Sequence, residues 1–263
     1  MEYTKQEFMA VITGREIKDG ELIILGVGLP MLAGYFAKLN HAPNLKPFTE
    51  GGVYGSTPVG GLPWGIECNR ISANATSFTN AIDALGFLVL SGRADNAVIG
   101  AAQVDKYGNV NTTGIWDEPP WKSGKYTLPR VRLNGSGGAS DISVGCKRYL
   151  IMASHEKRRF MEKVDYISSV GFLTGGDSRE KCEFPGGGPA AIISTLGILR
   201  PDPQTKEFYL EAYYPFTTID EVKANTGWDL KISQNVKIVP EPTAKELEDL
   251  RVVDATGSLR KKG

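Results

Sequence analysis

"ELIILGVGLPMLAGYFAKLN", residues 21–40, decides how the chain is read. Its first half is a short apolar run, the pattern of a buried strand, ending in Gly26-Val27-Gly28. Its second half carries Met31, Leu32, Tyr35, Phe36 and Leu39 at helical spacing. Pro30 sits where a helix's first turn accepts it, and Pro43 stops the pattern. Upstream, Thr4-Lys5-Gln6-Glu7 is a capping-box pattern ahead of Phe8, Val11 and Ile12, and Asp19-Gly20 closes that helix. Helix, strand, glycine loop and helix in this order predict an α/β domain with parallel strands. "GVGLP" could cradle a phosphate with its amides, but it lacks both the dinucleotide fingerprint and the Gly-Lys-Ser/Thr ending of a P-loop. Close packing is the simpler reading.

Further runs extend the pattern. "NAVIGAAQVD" (96–105) and "RYLIMAS" (148–154) read as buried strands, "VDYISSVGFL" (164–173) as another, and "NAIDALGFLVLSGR" (80–93) as starting helical. "AAIISTLGILRP" (190–201) and "EFYLEAYYP" (207–215) flank the turn "DPQTK", which predicts an antiparallel hairpin added to the parallel core. Thr218 to Glu221 and Thr243 to Glu246 repeat the capping box ahead of two short helices. No repeat or linker divides the chain, so residues 1–263 are read as one domain. Its fold is an open parallel or mixed sheet flanked by helices, with the hairpin in the C-terminal half and about the last ten residues disordered.

Composition narrows the function. Thirty basic residues balance thirty acidic ones, which removes the electrostatic case for nucleic acid or an anionic membrane. No apolar run is long enough for a membrane span. The polar start lacks a secretory leader's pattern, and three scattered cysteines fit a reducing, cytoplasmic setting. Two isolated histidines and no Cys-x-x-Cys pair give no expectation of a metal site.

Candidate chemistry gathers in loops. In "FTEGGVYGST" (48–57), Glu50 stands before Gly51 and Gly52, which have no side chains to block a ligand. It reads either as a solvent-facing turn residue or as a carboxylate able to act as base or nucleophile. The successive amides of "NGSGGAS" (134–140), with Gly135, Ser136, Gly137 and Gly138, read as an oxyanion cradle or as a surface loop. "FPGGGP" (184–189) invites the same idea more weakly. "SHEKRRF" concentrates Lys157, Arg158 and Arg159 beside His155, as an anion site or as a solvated face. Trp64, Trp116 and Trp121 could line a substrate site or simply pack.

Taken together, "TEGG", "GAAQVDKYGNVNTT", "GSGGASDI", "HEKRRF", "YLEAYYP" and "NTGWDL" resemble the small (beta) subunit of glutaconate CoA-transferase and its class I relatives, in order and at similar spacing from about residue 5 to about residue 233. The resemblance places the family's catalytic glutamate on Glu50, with Glu-Gly-Gly where the family has Glu-Ser-Gly or Glu-Asn-Gly. It implies CoA transfer from an acyl-CoA to a carboxylic acid through a glutamyl-CoA thioester. Coenzyme A would be a substrate, and no cofactor would be tightly bound. It also implies a homologous alpha subunit in an α2β2-like heteromer, with the active site at their interface. Relatives on the same fold open rings hydrolytically or decarboxylate CoA thioesters. The decarboxylases carry cysteine at the glutamate's position, so Glu50 counts against that option and hydrolysis remains the alternative. A non-catalytic subunit that only completes its partner's site is the third reading.

Overall fold

A computed structural model describes residues 3–66 and 68–259. Helix α1 (Lys5–Arg15) begins at Thr4, whose hydroxyl accepts from the Glu7 amide at 3.1 Å while the Glu7 carboxylate accepts from the Thr4 amide at 2.8 Å. Strand β1 (Leu22–Leu25) follows, then α2 (Leu29–Asn40) with Pro30 in its first turn. A Cβ on Gly34 would lie 2.4 Å from the Leu25 side chain, so α2 presses directly onto β1. Strands β2 (Lys46–Phe48), β3 (Val53–Tyr54) and β4 (Ser77–Phe78) come next, then a wide, π-type helical segment over Asp83–Val89 and strand β5 (Asn96–Gly100). Helix α3 (Ala139–Gly145) leads into β6 (Tyr149–Ala153). Strands β7 (Pro189–Ser194), β8 (Gly197–Pro201) and β9 (Phe208–Tyr213), helix α4 (Ile219–Ala224), strand β10 (Ile232–Ile238) and helix α5 (Ala244–Val253) complete the fold.

The ten strands form one sheet in the order β10-β9-β8-β7-β6-β5-β1-β2-β3-β4. Its five central strands, β7, β6, β5, β1 and β2, are mutually parallel. Alternate residues of these strands feed two apolar layers. Ala97, Ile99, Tyr149 and Ile151 face one, while Val98, Leu150, Met152 and Ile193 face the other with α1 and α2. Both faces are covered, which is why the strands read as continuous apolar runs.

The hairpin of β8 and β9 is antiparallel, and Asp202 closes its turn by accepting from the amides of Gln204 and Thr205 at 3.0 and 2.7 Å. Other expectations are corrected. "AAIISTLGILRP" is two strands, because the Ser194 hydroxyl accepts from the amides of Leu196 and Gly197 and folds the chain back. "NAVIGAAQVD" also divides: β5 stays in the large sheet, while Gln103–Asp105 joins a three-stranded sheet with Val110–Asn111 and Phe160–Met161. "VDYISSVGFL" forms no strand beyond one bridge at Ser169. Its polar groups are claimed locally instead, with Asp165 accepting from the Trp116 amide and from Gln103. In the tail, the Asp254 carboxylate accepts from the amides of Ser258 and Leu259, and residues 260–263 lie outside the described residues.

His155 belongs to this framework. The ring is 4% exposed, with Nδ1 2.8 Å from the Ser194 hydroxyl and Nε2 2.9 Å from the Thr226 hydroxyl, and it stacks on Phe160 at 3.8 Å. It thereby ties the end of β6 to the β7–β8 turn and to the residues after α4. Burial pulls its pKa down to about 3. The folded chain thus binds the proton more weakly than the unfolded one. His155's contribution to stability is complete above the unfolded pKa of about 6.5 and is lost as pH falls from there toward 3, at up to about 1.4 kcal/mol per pH unit. The expected outcome in imidazole NMR is one ring that stays neutral from pH 8 to 5, assigned by comparison with His41→Gln. A midpoint near 6.5 for His155 would show that water reaches the ring and that this packing is wrong.

Candidate active site

Parallel strands point their carboxyl ends the same way, and β1 lies between β2 and β5. The chain leaves β1 through α2 toward β2 on one side, while β5 flanks the other, so the loops after these strands diverge and open a crevice. Glu50 lies at that edge, two residues beyond β2. It is held in a tight turn into β3: the Thr49 amide donates to the Val53 carbonyl, the Gly52 amide to the Thr49 carbonyl, and the buried Thr49 hydroxyl accepts from the Val53 amide. Gly52 has φ +89°, and a Cβ there would lie 2.4 Å from the Thr79 carbonyl oxygen. The turn therefore requires glycine for its own closure. Gly51 is exposed, and a Cβ on it would meet only the Thr49 hydroxyl, at 3.8 Å.

The opposite wall is the loop over residues 132–139. It hangs from a two-stranded ribbon of Gly114–Ile115 and Val131–Arg132, extended by the Leu133 amide donating to Thr113 and the Gly135 amide to Thr112. Its Gly138 amide donates to Glu50 Oε2 at 2.6 Å. A Cβ on Gly138 would lie 2.4 Å from that oxygen, and one on Gly137 3.4 Å from Oε1. Only glycine brings the loop backbone this close to the carboxylate. The amides of Ser136 and Gly137 make no hydrogen bond within the chain among the described residues.

Between the walls lies a cavity of about 540 Å³, reached by Glu50, Gly26, Ile99, Ala101, Gly135 and Ile142 among others. Its size suits the reacting end of a small ligand. The wall is anchored from behind by Arg179, only 5% exposed, whose guanidinium donates to the carbonyls of Ser143, Val170, Gly171 and Gly186 at 2.7–3.2 Å. Carbonyl dipoles, one of them near the end of α3, here stabilise a buried cation that has no carboxylate partner among the described residues.

The remaining candidates lie elsewhere. Glu156 pairs with Arg158 at 2.5 Å and Arg159 at 3.5 Å, and Lys157 is exposed. In "FPGGGP", a Cβ on Gly186 would lie 2.2 Å from the Cys146 carbonyl oxygen, so that glycine serves packing. Burial pushes the Cys146 thiol up to about 12, which leaves it inert as a nucleophile. Trp116 and Trp121 donate to the carbonyls of Thr127 and Val164, and none of Trp64, Trp116 and Trp121 lines the cavity. Thr112, Arg132 and Asn134 do line it; Asn134 opens the "NGSGGAS" loop, whereas sequence reading gives no role to Thr112 or Arg132. Those two stand 20 residues apart on facing segments of the ribbon, and nothing in the sequence marks them as neighbours.

A family model described as coenzyme A transferase matches residues 7–225. The B subunit of 3-oxoadipate CoA-transferase from Pseudomonas knackmussii is 36% identical over 253 residues, covering 96% of this chain and 94% of that one. The B subunit of glutaconate CoA-transferase from Acidaminococcus fermentans is 37% identical over 251 residues, covering 93% and 91%. The crystal structure of glutaconate coenzyme A-transferase from A. fermentans aligns with a TM-score of 0.89 at 34% identity, over 99% of this chain and 98% of the matched chain. Likeness of this extent runs through the whole sheet and both walls of the Glu50 cavity, and it makes the chain a member of the coenzyme A transferase family.

Proposed function

We propose that the chain is the small (beta) subunit of a heteromeric class I CoA-transferase, carrying CoA from an acyl-CoA to a carboxylic acid as a thioester on Glu50. The observation that supports this is the Glu50 carboxylate, open to the cavity, with the Gly138 amide already 2.6 Å from Oε2. In the first step a Glu50 oxygen attacks the thioester carbonyl. The tetrahedral oxyanion collapses to a mixed anhydride, and CoA leaves as thiolate. The thiolate then attacks the glutamyl carbon, the donor acid leaves as carboxylate, and Glu50 becomes a CoA thioester. An acceptor carboxylate reverses both steps. The thioester's energy is thus kept in covalent form and not lost to water.

Each oxyanion has an amide within reach. When thiolate attacks the glutamyl carbon, negative charge develops on a Glu50 oxygen, where the Gly138 donor stands without further reorganisation. The uncommitted amides of Ser136 and Gly137 are the candidates for the oxyanion on the substrate's carbonyl. One such donor is worth about 3–4 kcal/mol of barrier. Coenzyme A enters as a substrate in this scheme, and no step calls for a tightly bound cofactor.

The partner would be a homologous alpha subunit, in an α2β2-like assembly that covers the crevice. Both relatives are named as one lettered subunit of a larger enzyme, which supports a second, different chain here. Phe78, Ile82 and Phe87 near Leu85, which packs beside Gly138, and Leu128 near the ribbon, are apolar side chains left in solvent. Such clusters mark docking surfaces.

Two measurements test the reading on the assembled protein. Brief incubation with an acyl-CoA, rapid quenching and peptide mass mapping are expected to find CoA or acyl on Glu50. Glu50→Ala should then lose transfer by roughly 10³-fold or more. Full activity in that variant, or CoA released to water with Glu50 unlabelled, would remove the covalent role and favour hydrolysis. Separately, Gly138→Ala would force a methyl group against Oε2, and kcat is expected to fall by about 10²-fold with Tm little changed. An undiminished kcat would mean that the Gly138 contact plays no part in the chemistry.

A further inference from the structure

The π-type segment Asp83–Val89 touches both walls of the cavity. Just ahead of it, the Thr79 amide donates to the Gly52 carbonyl at 2.8 Å, inside the turn that holds Glu50. In its middle Leu85 packs on Gly138, where a Cβ would lie 3.1 Å from Leu85 Cδ2. At its end a Cβ on Gly145 would lie 2.4 Å from the Val89 carbonyl oxygen, so the last turn of α3 rests on its backbone. One stretch of chain therefore runs from the loop that carries the carboxylate to the loop that carries its donor.

Local bonds fix the shape of this stretch. Asp83 accepts from the Thr79 hydroxyl at 2.6 Å and from the Asn80 side-chain amide at 2.9 Å, and Asn80 Oδ1 accepts from the Asp83 amide at 3.0 Å. The first turn is thus pinned to the residues that meet Gly52. The Leu90 amide then donates to the Leu85 carbonyl at 2.8 Å, five residues back. In an α-helix, residues five apart stand about 140° apart around the axis. The wide turn instead brings Ala84 and Val89 onto one face, where both are fully buried, with Leu85 half-buried against the same apolar layer. A regular α-helix would place Leu88 beside Ala84 and turn Val89 away from α3. Wide turns of this kind are rare and recur at functional sites.

We infer that the π-type segment is the spacer that sets the distance between the Glu50 carboxylate and the Gly138 amide, with Leu85 as its positioning residue. This rests on the Glu50 transferase reading and adds to it the element that aligns the donor. Leu85 is not among the residues lining the cavity, so it acts through Gly138 and not on the substrate. Its side chain limits how far the Gly138 backbone can retreat from Glu50 Oε2, while Thr79 holds the Glu50 turn from the other end. A donor displaced by a fraction of an ångström still bonds the resting carboxylate but meets the developing oxyanion badly. Shortening Leu85 therefore acts on kcat and leaves substrate binding alone.

The test uses the assembled protein and three variants. Leu85→Ala is expected to lower kcat about tenfold with KM for the acyl-CoA unchanged, and the volume-conserving Leu85→Met to restore kcat to within about twofold. Leu85→Val, a smaller truncation, should fall between them. Ile232→Ala is the control, because Ile232 packs half-buried against the same apolar layer from the far edge of the sheet. It should lower Tm as Leu85→Ala does and leave kcat intact. A second readout needs no turnover: the Gly138 amide proton, assigned by its loss in Gly138→Ala, sits downfield in a short charge-assisted bond. In Leu85→Ala it should move upfield and in Leu85→Met return. If no acid accepts CoA but this resonance behaves as described, the transferase reading fails and the positioning role stands. An unmoved resonance, a kcat that survives Leu85→Ala, or an equal loss of kcat in Ile232→Ala would overturn that role.

Discussion

The hydrogen bond from Gly138 to Glu50 joins residues 88 apart in the chain, and the site exists only where both loops are held in register. On one side the parallel strands fix the register, because β2 is paired to β1 and the turn after it closes on Gly52. On the other, the ribbon, α3 and the guanidinium of Arg179 fix it. Neither wall depends on the carboxylate for its own position. That is the condition for preorganisation, since the donor then needs no rearrangement when charge moves onto the glutamate.

The cavity's polar groups divide by whether the chain already uses them. Those that build the walls, such as the Gly135 amide and the Thr113 hydroxyl, are fully bonded. The Ser136 and Gly137 amides, the Thr112 hydroxyl and the exposed Arg132 guanidinium make no hydrogen bond among the described residues, and all of them belong to residues lining one cavity. Elsewhere the fold pairs even the buried Arg179 with carbonyls, while Ser169, Tyr214 and Trp228, away from the cavity, also bury polar atoms without a hydrogen-bond partner among the described residues. Within the cavity, apolar surfaces fill the space between, so each polar contact made there is strengthened by the low local dielectric.

Much of the architecture is legible because the parallel strands are buried on both faces. Residues 21–40 announce strand, glycine loop and helix without ambiguity. β2 escapes a local reading because it is three residues long and contains Pro47, which argues against a strand. "NAVIGAAQVD" reads as one strand because nothing in its composition records that Ala101 leaves one sheet and Gln103 enters another. Glu50 is visible as a candidate, but its two glycines suggest ligand access, whereas Gly52 answers to the Thr79 backbone. Thr112 and Arg132 are not legible at all. They join the cavity wall only through the pairing of the ribbon, which brings distant segments together, and a sequence does not show that.

"HEKRRF" teaches the complementary lesson. It is among the more specific strings, and its histidine and three basic residues suggest chemistry. In the fold, His155 is sealed between two hydroxyls and lies flat against Phe160, which itself stacks on Trp228, and Glu156 holds both arginines. A neutral imidazole has one N–H and one lone pair, so one of those hydroxyls must turn its proton toward the ring and away from a backbone carbonyl. Few residues other than histidine both stack and bridge at that spacing. Specificity of sequence therefore arises from a demanding junction as readily as from a reaction. What separates the two is what each side chain meets in the fold: both ring nitrogens of His155 face hydroxyls of the framework, whereas the Glu50 carboxylate opens onto the cavity.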